Sequence, residues 1–424
     1  MPRKLKVSIV LLSLAGALLF LAYIFGIYSE RSSLWPIGRG YTDFFRNQSS
    51  VPSVEEPSGE EQTHSATPNS PPLDEKVIMT TLHNVKVTKI LDGWHDGHLI
   101  LLDSNEDSYN LLFLSSQWMK EESLKRIEYN TETESTKVSD IYAIPGSSRG
   151  TGLYKSKITG KIFFSYIYVD ERTCAGMSLN EIVLNEPGPP IVTEVHRTEC
   201  ALPPYGIHET GGIIAEDNKG ALYLTVGDFM KPHVAADPNH SFGKLLIKKP
   251  EENKMAIYAK GFRNIQGLAF NQETHQLIAL DHGPEAGDEV NFIEEGKDYG
   301  WPFVSYGKPY GGHPEEIMNI GPTKFGTHEG YERPKFVFYP SYGTKDIAQI
   351  PKSSFIFPNW LGDFLITTKT GIHRIRIRDD RVLLVEPLDI LPAVRSLAMH
   401  ESGLFFTASR PGIHLVRRAT SGRN

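Results

Sequence analysis

Gly212-Ile-Ile-Ala-Glu-Asp-Asn-Lys-Gly-Ala-Leu-Tyr-Leu-Thr225, Gly267-Leu-Ala-Phe-Asn-Gln-Glu-Thr-His-Gln-Leu-Ile-Ala-Leu280 and Arg395-Ser-Leu-Ala-Met-His-Glu-Ser-Gly-Leu-Phe-Phe-Thr-Ala408 share one layout. Each is a short apolar strand, a polar turn and a second apolar strand. One strand–turn–strand unit recurring at intervals of tens of residues marks a repeat architecture. Outward from these copies, from about Lys76 onward, short β-rich segments alternate with Gly, Asn, Asp and Pro turns, and no long 3.6-residue period intervenes. The chain beyond Lys76 has room for six four-stranded blades, so the pattern predicts an all-β, six-bladed propeller over 76–424, with a pair of β-sandwiches as the alternative. In a propeller, loops from every blade converge over a central channel, so residues scattered in sequence meet at one site.

Composition narrows the partners. The 424 residues carry 44 Lys and Arg against 51 Asp and Glu, a net charge of -7, so no basic excess suits a nucleic-acid backbone. Two cysteines exclude a disulfide-dense scaffold and a Cys-built metal site. At the N-terminus, Arg3, Lys4 and Lys6 precede an uncharged run from Val7 to Tyr28, long enough to span a bilayer. Residues 1–28 therefore read as a membrane anchor, the cations holding their end in the cytoplasm and the rest of the chain outside it, at a cell surface or in a periplasm. A cleaved signal peptide is the competing reading, which the bulky Leu21-Ala-Tyr-Ile-Phe-Gly26 disfavours. Residues 29–75 read as a disordered Ser-, Pro- and Glu-rich spacer. In an extracytoplasmic segment Cys174 and Cys200 are placed to form a structural disulfide.

Three linked blocks carry chemistry. Gly261-Phe-Arg-Asn-Ile-Gln-Gly-Leu-Ala-Phe270 leads to Leu280-Asp-His-Gly-Pro-Glu-Ala-Gly-Asp-Glu-Val-Asn-Phe292 and then to Gly296-Lys-Asp-Tyr-Gly-Trp-Pro302. In this order they resemble the glucose/sorbosone dehydrogenase family, the soluble aldose sugar dehydrogenases that use pyrroloquinoline quinone (PQQ). Weaker similarity runs from about Ile207 to Thr407. The resemblance implies a propeller that oxidises an aldose at its anomeric carbon to a lactone, with PQQ and Ca2+ as cofactors and an external electron acceptor.

Carried over position by position, it makes His208 the general base and sets Arg263 and Asn264 against the quinone's reactive carbonyl. It makes His282, Lys369 and Arg395 cofactor contacts, and assigns the carbonyls of Gly283 and Pro284 to calcium. The residue types suit these roles. An imidazole with a pKa near 6.5 accepts a hydroxyl proton at neutral pH, fixed cations stabilise charge on quinone oxygens, and calcium takes hard oxygen ligands.

Three departures matter. The family's late R-x-R pair reads Ala393-Val-Arg395 here, the arginine that follows the glycines after the histidine is replaced by Gly212 or Ile213, and the loop Tyr339–Asp346 matches loosely. Losing one charge-assisted bond costs roughly 1.5–3 kcal/mol, one to two decades of affinity. Lys345 is a candidate substitute. These departures keep a second reading open, a non-catalytic propeller that binds a carbohydrate or a protein. A third, a calcium-dependent lactone hydrolase, needs Glu209, Asp228, Asp281 and Asp288 to converge on a metal. Gly146-Ser-Ser-Arg-Gly150 matches G-x-S-x-G, but Pro145 and the lack of a following helix remove the nucleophile-elbow context.

Overall fold

The computed structural model describes residues 75–79, 84–93, 96–117, 121–170, 174–185, 187–201, 208–308, 324–388, 390–409 and 412–419. The anchor expected over 1–28 lies outside them, as does the spacer except Glu75, which opens strand Glu75–Met79. Among the described residues no helix is long and apolar enough to cross a membrane.

These residues form six antiparallel sheets of four or five strands. Blades 1, 2 and 3 begin with inner strands Gly97–Ser104, Ser147–Lys155 and Gly211–Glu216. Blades 4, 5 and 6 begin with Ile265–Phe270, Ile347–Gln349 and Val394–Met399. The three quoted repeats are the inner hairpins of blades 3, 4 and 6, with Ala215 opposite Tyr223, Leu268 opposite Ala279 and Ala398 opposite Phe406. Their strands are apolar on both sides because a blade is covered on both faces. Six buried clusters, one between each pair of neighbouring blades, complete the ring. Trp360 and Phe357 seal blades 5 and 6, and Phe262 with Tyr299 seals blades 3 and 4. The Tyr299-Gly-Trp-Pro302 block is thus a packed corner.

Blade 6 closes the ring. Its fourth strand from the channel, Asn84–Asp92, comes from the start of the domain and pairs antiparallel with Gly412–Arg418 from the end, Val87 facing Val416, while Glu75–Met79 adds an outermost fifth strand. The inner strands of blades 1 and 6 run side by side in the same direction: Leu99 N–H donates to Ser396 Oγ at 3.1 Å, each the third residue of its strand, and Ser104 Oγ, ending one strand, lies 3.1 Å from His400 Nε2, just past the end of the other. The starts of the inner strands form one rim of the channel. Below that rim the channel encloses about 940 Å³, lined by the inner strand of each blade through residues such as His98, Lys155, Glu216, Phe270, Gln349 and Met399.

The expected Cys174–Cys200 disulfide is present in blade 2, with a Cα–Cα distance of 5.5 Å and a sequence separation of 26. On the loop-entropy model such a bridge contributes about 3 kcal/mol. Replacing both cysteines by alanine should lower the unfolding free energy in a urea titration by about that amount. A loss under about 1 kcal/mol would mean the unfolded chain is already restrained there.

Candidate active site

The rim is assembled from blade 4 outward. Asp281, ending the strand Leu277–Asp281, accepts the backbone N–H groups of Arg263 (3.1 Å) and Asn264 (2.6 Å) and so fixes the chain entering the inner strand. Both side chains then converge on one carboxylate of blade 3. Arg263 Nη2 donates to Glu209 Oε1 at 3.1 Å, and Asn264 Nδ2 donates to Glu209 Oε2 at 2.5 Å. Glu209 has φ +52°, in the left-handed region, where its carbonyl accepts the Phe229 N–H. A Cβ on Gly227 would collide with that carbonyl, so the strand end needs glycine there.

The clamp extends both ways. Asn264 Oδ1 accepts Gly211 N–H at 2.9 Å and Gln266 Nε2 at 2.8 Å, while Gln266 Oε1 accepts Arg395 Nη1 at 2.9 Å. In the other direction Arg263 Nη1 donates to the carbonyls of Gly283 (2.9 Å) and His282 (3.3 Å), and its guanidinium lies 5.7 Å from the centre of the Trp301 ring. One hydrogen-bonded line thus joins Arg395, Gln266, Asn264, Glu209, Arg263 and Gly283 across blades 6, 4 and 3.

His208 adjoins this line through Glu209. Burial pushes its pKa below the ordinary 6.5, Glu209 opposes that and Arg149 adds to it, so the imidazole is neutral at pH 7. Glu209 itself is opposed by burial, but Arg263, His282, His208 and the Asn264 amide outweigh it and hold the carboxyl below its usual range. Two neighbours go the other way. Burial raises Asp228 to about 7, although it accepts Trp301 Nε1–H at 2.9 Å, and burial with Glu289 nearby raises Asp281 to about 8.

His282 and Lys369 are placed by the loop Tyr339–Asp346. Asp288 accepts the N–H groups of Gly343 (2.6 Å) and Thr344 (3.3 Å) and the Ser341 hydroxyl, so it organises the loop as a structural anchor. His282 Nε2 pairs with the Thr344 carbonyl, and the stem of Lys369 packs over Gly343, which has φ +59° and no room for a Cβ. Pro284 is buried beside Gly307.

The rim therefore gathers His208, Arg263, Asn264, His282, Gly283 and Lys369, with Arg395 joined through Gln266. The carboxylates that a metal hydrolase would need do not converge: among the described residues Glu209, Asp228, Asp281 and Asp288 do not bring their oxygens close enough together to hold an ion. Among the described residues the one His, Cys, Asp and Glu cluster tight enough for a metal is Asp170, Cys174 and Cys200, whose sulfurs are bonded to each other. Glu209's clamping role and Arg149 carried no sequence signal of their own, and Gln266, inside the block Gly261–Phe270, was given no role there.

A family model described as glucose/sorbosone dehydrogenase matches residues 154–413, more than half of the chain. The chain belongs to the glucose/sorbosone dehydrogenase family. The match to this family starts in blade 2, well before the stretch from Ile207 that the motifs reach. Among its relatives, aldose sugar dehydrogenase YliI of Escherichia coli is 31% identical over 163 residues, 35% of this chain and 42% of that protein. The chain thus spans less than half the length of that relative. The soluble aldose sugar dehydrogenase of Escherichia coli, solved in its apo form, superposes with a TM-score of 0.64 at 22% identity, covering 79% of this chain and 99% of that one. The PQQ-bound aldose sugar dehydrogenase of Streptomyces coelicolor gives 0.56 at 17% identity, covering 82% and 99%. Both establish the six-bladed fold.

The raised carboxyls make a pH prediction. With its pKa at about 7 in the fold against 3.8 ordinarily, Asp228 keeps a proton that the unfolded chain sheds. Stability should then fall as pH rises from about 4 through 7 and level off above, Asp281 extending the fall to about 8. Thermal midpoints of Asp228→Asn between pH 5 and 8 should show a shallower slope than the wild type. An unchanged slope would mean that Asp228 is ionised in the folded protein.

Proposed function

We propose that the protein is a PQQ-dependent dehydrogenase that oxidises an aldose at the anomeric carbon to a lactone, with His208 as general base. The observation that carries this reading is a neutral imidazole beside a continuous line of charge-assisted donors, at the one rim where all six blades meet.

The donor set suits the quinone. Arg395 is 6% exposed and its Nε has no hydrogen-bond partner, a buried cationic N–H suited to a carboxylate. Arg395 and Lys369 would hold the cofactor's carboxylates, and Arg263 with Asn264 would face its carbonyl region. Bound there, the quinone supplies the two-electron acceptor for a hydride equivalent from the sugar. His208 takes the anomeric hydroxyl proton, and Glu209 beside it stabilises the imidazolium that forms. Arg263 over Trp301 keeps its donors in a site of low dielectric, where each bond counts for more.

Calcium fits this arrangement less well. The Gly283 carbonyl already accepts a guanidinium N–H, so a cation there competes with Arg263. Metal at Gly283 and Pro284 is proposed only with Arg263 turned away, and no step is assigned to it. One observation favours the second reading, a propeller that binds a carbohydrate or protein without turnover: Glu209 already satisfies both Arg263 and Asn264. Electrons would leave to an external acceptor. A place outside the cytoplasm, held by the N-terminal segment, draws support from the disulfide.

His208→Ala should cut dye-linked aldose oxidation by about 10²- to 10⁴-fold while PQQ still binds, as followed by fluorescence titration. In the wild type, kcat/KM should fall on an acid limb lying below pH 6.5, because only neutral His208 accepts a proton. Wild-type-like turnover in His208→Ala would remove this mechanism.

A further inference from the structure

Arg149 adds a charge to the rim that none of the motifs assigned. It is the third residue of the inner strand Ser147–Lys155, in the blade between His98 of blade 1 and Glu209 of blade 3. Two register shifts bracket it, one between Ser147 and Arg149 and one between Gly150 and Gly152. Bulges of this kind re-aim a side chain and recur beside active sites.

The backbone on both sides is pinned. Ser147 Oγ donates to the Ile144 carbonyl at 2.6 Å and accepts Glu122 N–H at 2.8 Å, and a Cβ on Gly150 would strike the Ser115 carbonyl of blade 1. The aim of Arg149 is therefore built into the junction of blades 1 and 2.

Its surroundings mark an anion site. Arg395 Nη2 donates to His98 Nε2 at 3.4 Å, while the buried Arg395 Nε has no hydrogen-bond partner, Asp96 Oδ1 standing 4.0 Å away. His98 lies well below its ordinary pKa, through burial and then Arg395, Arg149 and Lys345, which leaves it neutral and able to accept. Burial first and Arg395 second push the Arg149 guanidinium down to about 10, with Asp96, Glu209 and Glu122 pulling the other way. Two arginines from the blades that flank blade 1 are thus held near each other, Arg395 buried with one N–H uncompleted and Arg149 half-buried. An anion with more than one carboxylate on a rigid frame would relieve both costs.

We propose that Arg149 is a second carboxylate-binding arginine of the rim, acting with Arg395 across the channel mouth in the part that Ala393 has no charge to play. The inference rests on the quinone reading above. It makes Arg149 a residue for binding and orienting the cofactor, without a share in proton transfer.

The test is a titration of full-length protein with PQQ, and separately with its trimethyl ester, in the absence of sugar, followed by tryptophan fluorescence. Arg149→Gln should weaken the free acid about 10- to 100-fold and leave the ester unchanged. Arg149→Lys, which keeps the charge but loses the planar fork, should weaken the acid several-fold, and it gives an independent reading if the glutamine variant misfolds. Equal affinity of wild type and both variants for the free acid would overturn the proposal and leave the quinone reading intact. A wild type that binds neither form would overturn both.

Discussion

Every feature of the rim depends on one pairing, that of Asn84–Asp92 with Gly412–Arg418. A propeller blade buries both faces only when it has two neighbours, and the sixth inter-blade cluster exists only because these two chain ends share a sheet. With the ring closed, the six inner strands enter the channel at the same height. Arg395, near the end of the chain, then reaches both Gln266 of blade 4 and His98 of blade 1. No local preference in the sequence around these residues would bring them together.

On that frame sits a polar line that is costly to bury and is therefore almost fully paired. Glu209 takes both Arg263 and Asn264, Asn264 passes the connection to Gln266, and Gln266 to Arg395. In a low-dielectric setting, removing one member strands its partner, so the network resists rearrangement in parts. The left-handed backbone at Glu209 belongs to the same design, since it turns a carboxylate that follows the candidate base toward the two donors. The exception to full pairing is the informative position. The uncompleted N–H of Arg395, with Arg149 nearby, lies where a bound anion would finish the arrangement.

Much of this was legible in the sequence, for physical reasons. The inner hairpins of blades 3, 4 and 6 repeat because each fills the same place in a ring, and their two-sided burial leaves an apolar signature. The blocks from Gly261 to Pro302 hold Arg263, Asn264, His282 and Gly283, and the fold brings those side chains and carbonyls together. Asp288 in the same stretch anchors the loop through the Gly343 N–H. What stayed hidden depends on contacts between blades. Glu209 read only as one of four candidate carboxylates for a metal hydrolase, and the approach of blade 4 makes it the clamp of Arg263 and Asn264. Arg149 sat within a serine motif that lacked its context, and its aim comes from two bulges that no residue pattern announces. The Gly283 carbonyl read as a calcium ligand, while the structure gives it to Arg263.

The central claim is that this rim is a working quinone site. Titrating the full-length protein with PQQ while recording its thermal midpoint and dye-linked oxidation of aldoses tests that directly. A ligand that binds only the folded state stabilises it by about 2.7 kcal/mol at 100 times its dissociation constant, a readable rise in midpoint. The account predicts that rise, saturating together with aldose-dependent dye reduction. A midpoint unmoved by excess quinone, with no dye reduced by any aldose, would contradict it and leave a propeller that binds without turnover.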